Sequence, residues 1–160
     1  MKTLLKFASL FLLFTAMPLF AQTGAWRAVG SVGIIDESSL SLYAFNQFDL
    51  EFKTGQVGTI VARYPVFPAG DDTPDWASLI IGGSGSGVTV KLIQAGQCIP
   101  QNPPTVLCTY GPSNASLHFC QPCDEFQGAL DFSSYAYYFE VELTRATTAT
   151  NPKLHMISLE

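Results

Sequence analysis

The chain has 160 residues and a formal net charge of −5, with 13% charged and 12% aromatic residues. It contains no basic run or arm, which argues against nucleic acid, because binding to phosphates rests on clustered Lys and Arg. The same absence argues against anionic membrane surfaces. The length fits about one domain, and such a chain can bury a sizeable core without help.

Residues 1–21 have the organisation of a secretory signal peptide. Two lysines stand near the start, an apolar run extends to Phe20, and the small residue Ala21 occupies the cleavage position. The run is shorter than the roughly 20 apolar residues of a spanning helix. We expect cleavage before Gln22, which leaves a single domain at 22–160 with no membrane span. That domain keeps six basic and 13 acidic side chains, a net charge of −7, and is expected to be secreted, periplasmic or at the cell surface.

The clearest strand pattern lies at 137–144, where large apolar residues alternate with polar ones. One face carries Tyr137, Phe139, Val141 and Leu143, and the other carries Tyr138, Glu140, Glu142 and Thr144. A period of two with aromatic and β-branched residues is typical of a half-buried antiparallel strand. Four large apolar side chains need a second layer, so we expect this strand inside one sheet of a two-layer fold.

Similar short patterns, separated by turn signals, recur about every ten residues. They predict strands at 25–35, 40–44, 48–52, 57–66, 76–81, 88–92, 105–110, 115–120 and 154–159. A helical turn is possible near 125–130, and Gly82–Gly87 is expected to be the flexible loop of a hairpin that joins the strands at 76–81 and 88–92. We expect 115–120 to pair back on 105–110, and 154–159 to be an edge strand able to pair with another chain. About eight to ten short strands predict an all-β, antiparallel β-sandwich with a jelly-roll or immunoglobulin-like outline.

Four cysteines, an even number in an exported chain, predict two disulfides among Cys98, Cys108, Cys120 and Cys123. Three pairings are possible, of which Cys98–Cys108 with Cys120–Cys123 is favoured because it closes a Pro-rich loop. The C-x-x-C motif at 120–123 is also typical of redox enzymes, but those need a preceding parallel strand and a following helix. A zinc site, with or without His118, lacks a second close cysteine pair.

An acidic loop precedes Trp76. Asp71, Asp72 and Asp75 offer the carboxylate oxygens that calcium prefers, although the D-x-D-x-D-G spacing is absent. The alternative is a solvated loop that keeps the chain soluble. Calcium is therefore the one possible cofactor, and no catalytic or metal residue is assigned otherwise.

Two aromatic residues are candidates for stacking on sugars. Trp76 adjoins the acidic loop, and Tyr138 lies on the polar face of its strand beside Glu140 and Glu142. If both are exposed on one side of the fold, a carbohydrate-binding module is favoured, and if both are buried it is excluded. The alternative is ordinary packing in the core and on the sheet surface.

Catalytic patterns are sparse. His118 and His155 are the only histidines, no serine lies in a G-x-S-x-G elbow, and Gly82–Gly87 lacks phosphate-loop spacing. Glu140 and Glu142 share a strand face roughly 7 Å apart, a spacing also common among exposed acids. A small secreted hydrolase therefore requires a cleft where a histidine meets a serine or an acid. Asn114 is a glycosylation acceptor if the source has that pathway.

Several stretches resemble uncharacterised secreted bacterial proteins of similar length. They are GIIDES at 33–38, ARYPV at 62–66, and YYFEVELTR at 137–145 with Asn151-Pro152 after it. The resemblance covers about half of the mature chain, implies export and a small β domain, and brings no activity or site. The function predicted is an exported, non-enzymatic binding or structural domain for an unknown protein or glycan, with polar Gly/Ser-rich loops as its contact surface. The alternatives are a carbohydrate-binding module and, second, a small secreted hydrolase.

Overall fold

A computed structural model describes residues 24–68, 76, 78–96, 103–113, 117–120 and 130–160, with only the backbone described at 112–113 and 117–120. Eleven strands lie within these residues: β1 (Trp26–Val29), β2 (Ile34–Ile35), β3 (Tyr43–Asn46), β4 (Asp49–Phe52), β5 (Gly58–Val66), β6 (Leu79–Ser84), β7 (Val88–Gly96), β8 (Thr105–Ser113), β9 (Leu117–Cys120), β10 (Tyr135–Arg145) and β11 (Lys153–Leu159). Single 3-10 turns occupy Gly30–Val32 and Glu37–Ser39. Over these same ranges, no helix is long and apolar enough to cross a membrane.

The strands form two antiparallel sheets. The first has the order β3-β4-β11-β6-β9, with β1 also paired to β11, and the second has the order β2-β5-β10-β7-β8. From β4 onward the chain changes sheet at every connection except that between β7 and β8, so that β4-β11-β6-β9 faces β5-β10-β7-β8. That arrangement is a jelly roll. The predicted β-sandwich is confirmed, and the connections decide for the jelly-roll outline.

The alternating segment forms β10, which lies between β5 and β7 as predicted. Its apolar face is directed inward, and Phe139, Val141 and Leu143 are fully buried. Leu50 of β4 and Ile157 of β11 are equally buried in the same core cluster, which the two sheets enclose. Trp26 of β1 packs on Phe139 with 5.4 Å between ring centroids. The period-two pattern thus predicted the buried face correctly, because strand geometry alternates side chains between faces.

The predicted first strand is wrong as a single element. It divides at Gly30–Val32 into β1 in the first sheet and β2 in the second. A Cβ on Gly30 would overlap the backbone carbonyl oxygen of Leu154, so the close approach of β11 requires glycine here. The strand expected at 40–44 is displaced, because the chain turns at 40–42 and β3 begins at Tyr43.

Three further expectations are corrected. The last strand, β11, is interior rather than an edge, because β6 covers one side and β4 and β1 share the other. Strand β9 pairs with β6 in the opposite sheet and not with β8. The hairpin expected around Gly82–Gly87 is wrong, because β6 lies in the first sheet and β7 in the second. Gly82 and Gly83 belong to β6, where Met156 and the backbone of Lys153 leave no room for a Cβ. The helical turn suggested near 125–130 lies outside the described residues, except for Leu130.

Candidate binding site

The predicted binding residues differ in their exposure, and some of them lie outside the described part of the chain. Trp76 is only 2% exposed, and its indole N–H donates to the carbonyl of Gly24 at 3.1 Å, so its ring is part of the core and offers no surface for stacking. Tyr138 is half-buried on the outer face of the second sheet. A sugar site at Trp76 and Tyr138 would require both rings to be exposed on one side of the fold, and the burial of Trp76 means that this requirement is not met. Asp71, Asp72 and Asp75 lie outside the described residues, so the calcium loop stays a prediction.

The cysteine predictions are also largely outside the described part of the chain. Cys98 and Cys123 lie beyond it, and nothing is described of the Cys120 side chain. Cys108 is buried on β8 beside Leu92 of β7. The two disulfides and their pairing stay predictions, as does glycosylation at Asn114. Over the described ranges, no group of three His, Cys, Asp or Glu side chains is arranged to hold a metal ion.

The most exposed aromatic ring in the described chain lies where β5 ends. Phe67 follows directly after Val66, the last residue of β5, and is 68% exposed. The alternation of β5 directs Tyr64 and Val66 inward and Pro65 outward. Phe67 continues this outward series and precedes Pro68, which favours an extended backbone at Phe67. Exposed Val32 and Tyr135 line the same surface as Phe67, and a contiguous exposed apolar patch often marks a binding surface, so this position is a candidate.

Two grooves meet at Phe67. One, of about 240 Å³, lies between Phe67, Val32 and the first strand, with Trp26 and Tyr64 in its wall. The other, of about 310 Å³, lies between Phe67, Phe132 and Tyr135. Pro65 and Phe67 border both. We call them the Val32 groove and the Tyr135 groove. Together they are a concave, mostly apolar surface, as ligand sites usually are.

The wall of the Val32 groove is held by a buried hydrogen bond. Tyr64 is 1% exposed, and its hydroxyl donates to the carbonyl of Gly30 at 2.7 Å. Burial raises the pKa of Tyr64 well above its usual range. Gly33 lies against the ring of Tyr64, where a Cβ would clash. The bond fixes the Gly30–Val32 turn on β5 and so sets the position of Val32 relative to Phe67.

The wall of the Tyr135 groove is held by a turn that precedes β10. The Asp131 carboxylate accepts hydrogen bonds from the backbone N–H groups of Ser133 (3.0 Å) and Ser134 (3.3 Å), a pattern by which Asp commonly stabilises turns. These serines lower the pKa of Asp131, their side-chain hydrogen bonds contributing most. Phe132 packs edge-on against Tyr137, with 4.9 Å between centroids. Asp131 N–H also donates to the Tyr137 hydroxyl at 3.1 Å, which ties the turn to the sheet.

The grooves carry little charge. Arg27 is the one ionisable cation among their described lining residues, and its guanidinium pairs with Glu160 at 2.7 Å. That ion pair and a hydrogen bond from Ser158 lower the pKa of Glu160. The surface therefore offers aromatic and apolar contacts and no unpaired cation over the described residues, which suits an uncharged ligand better than an anion.

The two glutamates considered for hydrolysis belong to an ion-pair row across the outer face of the second sheet. Glu140 accepts from Arg63 of β5, with 3.1 Å between Nη2 and Oε2, and lies 3.8 Å from Lys91 of β7. Lys91 also pairs with Glu142, whose hydrogen bond raises the Lys91 pKa. Asp36 extends the row by accepting from Arg63 at 3.0 Å. Both glutamates are thus engaged with cations rather than directed into a cleft.

One histidine meets an acid. His155 of β11 lies opposite Asp49 of β4, with 2.6 Å between Nδ1 and Oδ1. This is the contact between a histidine and an acid that a hydrolase was expected to have, but a cleft around it was also required. Within the described chain, no serine is hydrogen-bonded to His155, and neither Phe67 groove includes it. His118 is described only by its backbone.

Comparisons with known proteins leave the family open. No family model matches the chain, and no curated protein matches it. Among solved structures, it is similar to a low-affinity xylan-binding module, CBM86, of the gut symbiont Roseburia intestinalis. The identity is 12% and the TM-score 0.43, over 86% of this chain and 95% of the module. At this level the likeness carries no argument about fold or function.

Sequence reasoning missed the Phe67 site. It singled out Trp76 and Tyr138 for stacking rather than Phe67 and Tyr135. A local signal existed, since Phe67 continues the outward phase of β5 and is flanked by Pro65 and Pro68. The partner residues come from 26–32 and 132–137, and only the fold brings these segments to the same end of the sandwich.

Proposed function

We propose that this protein is an exported, non-enzymatic binding domain, and that the two grooves around Phe67 are its contact surface. The observation that carries the proposal is the 68% exposed ring of Phe67, which borders both grooves. Hydrogen bonds hold the Gly30–Val32 wall and the Asp131 turn on either side of it. A preformed site of this kind binds with little ordering cost.

Glycan binding is the more specific candidate. Phe67 and Tyr135 are exposed rings, and Tyr135 is 38% exposed at the border of the second groove. Flat rings with an apolar face and a polar surround suit the C–H face of a sugar. This assigns stacking to Phe67 and Tyr135. Neither groove includes Tyr138, and Trp76 supports the Tyr135 groove from the core by packing on Phe132, with 6.1 Å between ring centroids.

The test is the melting temperature of residues 22–160 in the presence of neutral polysaccharides, acidic polysaccharides, proline-rich peptides and calcium with chelator. A ligand of the folded state raises the midpoint by mass action, by about 2.7 kcal/mol of stability at a hundredfold excess over its dissociation constant. We expect one class to raise it and Phe67→Ala to remove most of that rise. Val106→Ala is the matched control, because Val106 is 46% exposed on β8 at the far edge of the second sheet.

Two results contradict the proposal. One is a ligand whose effect survives Phe67→Ala and disappears with Tyr138→Ala, which would place binding on the outer sheet face. The other is release of new reducing ends or acyl products from any substrate, with loss of that activity in His155→Ala. The second result would make the Asp49–His155 pair catalytic and support the hydrolase alternative.

A further inference from the structure

The two grooves adjoin at Phe67. They share Pro65 and Phe67, so a ligand laid across the Phe67 ring would contact both grooves. Val32, 60% exposed, borders one groove, and Tyr135 borders the other. We propose that the ligand is a neutral, linear polysaccharide laid across both grooves, with one sugar ring stacked on Phe67. This inference rests on the proposed function and names the ligand of the same site.

Charge favours a neutral chain over an acidic one. Among the described residues that line the grooves, Arg27 alone carries positive charge, and Glu160 neutralises it at 2.7 Å. The predicted mature chain has a net charge of −7, from six basic and 13 acidic side chains. A polyanion would approach a like-charged protein and find no unpaired cation on these described walls, so both the encounter and the bound state are disfavoured.

Backbone chemistry favours a sugar over an extended peptide. A bound extended peptide must satisfy its own carbonyl and N–H groups, and one way to do so is to pair with an open strand edge. Here the shared wall includes Pro65, and Pro68 borders the Tyr135 groove, and neither residue has a backbone N–H. A pyranose ring presents C–H groups on its faces and keeps its hydroxyls at the rim, where water satisfies them. The aromatic walls suit those faces.

A track of two joined grooves predicts that affinity depends on chain length. A short oligosaccharide contacts Phe67 and part of one groove, while a longer one adds contacts at Val32 and at Tyr135. Affinity is therefore expected to increase with each sugar until both grooves are occupied and then to level off. A single deep pocket would instead bind only the terminal sugar, so its affinity would not depend on chain length.

The experiment is isothermal titration calorimetry of residues 22–160 with β-1,4-linked glucose and xylose oligosaccharides, from disaccharide to hexasaccharide. We expect affinity to increase with length, and Phe67→Ala to weaken binding about tenfold or more, as loss of a central aromatic contact does. In Tyr135→Ala and Val32→Ala, affinity is expected to increase less with oligosaccharide length than in wild type. Phe67→Leu keeps the bulk and removes the ring, so it is expected to behave like Phe67→Ala, and Val106→Ala like wild type.

Controls separate this inference from the proposed function. Polygalacturonate and a proline-rich peptide are titrated in parallel, and each variant is kept only if its melting temperature matches wild type within about 2 °C, as a surface change allows. If polygalacturonate or the proline-rich peptide binds and the neutral sugars do not, and Phe67→Ala abolishes that binding, the grooves are a binding site but the proposed class of ligand is wrong. If all oligosaccharides from disaccharide to hexasaccharide bind with equal affinity, the proposal that one chain occupies both grooves is refuted. No binding, or binding insensitive to Phe67→Ala, refutes both proposals.

Discussion

The buried hydrogen bond that fixes the Val32 groove offers the sharpest stability test. Tyr64→Phe removes one hydroxyl at a position that is 1% exposed and leaves the Gly30 carbonyl without its donor. Leaving a buried acceptor unpaired costs about 1–3 kcal/mol. At roughly 3 °C per kcal/mol for a domain of this size, the melting temperature is expected to fall by about 3–9 °C.

The effect of pH distinguishes this bond from simple packing. Burial raises the pKa of Tyr64 above the ordinary value of 10.0. An unfolded tyrosine therefore ionises near pH 10 while folded Tyr64 stays neutral, so wild type loses up to about 1.4 kcal/mol of stability per pH unit above that point. The phenylalanine variant has no such group. The difference in free energy of unfolding between wild type and Tyr64→Phe is expected to have its complete value below pH 10 and to decrease above pH 10.

Urea unfolding of residues 22–160 at neutral pH and near pH 11 measures both effects. Tyr138→Phe is the matched control, because the same hydroxyl is removed from a half-buried ring on the outer sheet face, where a change within about 0.5 kcal/mol is expected. The reasoning fails if Tyr64→Phe costs no more than Tyr138→Phe. It also fails if the difference between wild type and Tyr64→Phe is the same at both pH values.

Further predictions concern the core, one close approach, the acid range and the cysteines. Phe139→Ala empties a fully buried site and is expected to lower the free energy of unfolding by about 3–5 kcal/mol in urea titrations. Gly30→Ala is expected to cost roughly 1–3 kcal/mol because its Cβ overlaps the backbone of β11, whereas Gly96→Ala, with open space around it, is expected to be tolerated; equal effects would contradict the packing. Hydrogen bonds from Ser38 lower the pKa of Asp36 below its ordinary value of 3.8. Wild type is therefore expected to be more stable than Asp36→Asn above pH 3.8, and to lose this advantage as the pH falls through the lowered pKa. A denaturation series from pH 2 to 6 with a constant difference would exclude this contribution. Intact-mass analysis with and without reductant is expected to show two disulfides, and four free thiols would refute them.

Local patterning was sufficient to predict the class of fold. The alternation at 137–144 predicted which face of β10 is buried, and the strand predicted at 57–66 corresponds to β5 at Gly58–Val66, because strand patterning acts over a few residues. Few charges and recurrent short apolar segments pointed to a two-layer β structure. Export, the single domain and the disulfides were predicted from the same sequence and stay predictions.

Only the tertiary structure decided how the strands pair. Nothing in 25–35 shows that its halves join different sheets, and the division falls at Gly30, where the backbone of β11 passes within contact. Likewise nothing in 154–159 distinguishes an edge strand from an interior one, and three strands cover it. Hydrogen-bond partners distant in sequence compete for each strand, and the choice depends on how the two layers close over a common core.

The candidate site shows the same division. The sequence by itself supplied the aromatic residues and the acidic, cation-poor composition that argues against nucleic acid. It also favoured Trp76 as an exposed ring, whereas the fold buries Trp76 and exposes Phe67. The physical reason is that exposure depends on which chain segments lie above a ring. The walls on either side of Phe67 come from residues more than 30 positions before it and more than 60 after it, and these meet only when the two sheets are packed together.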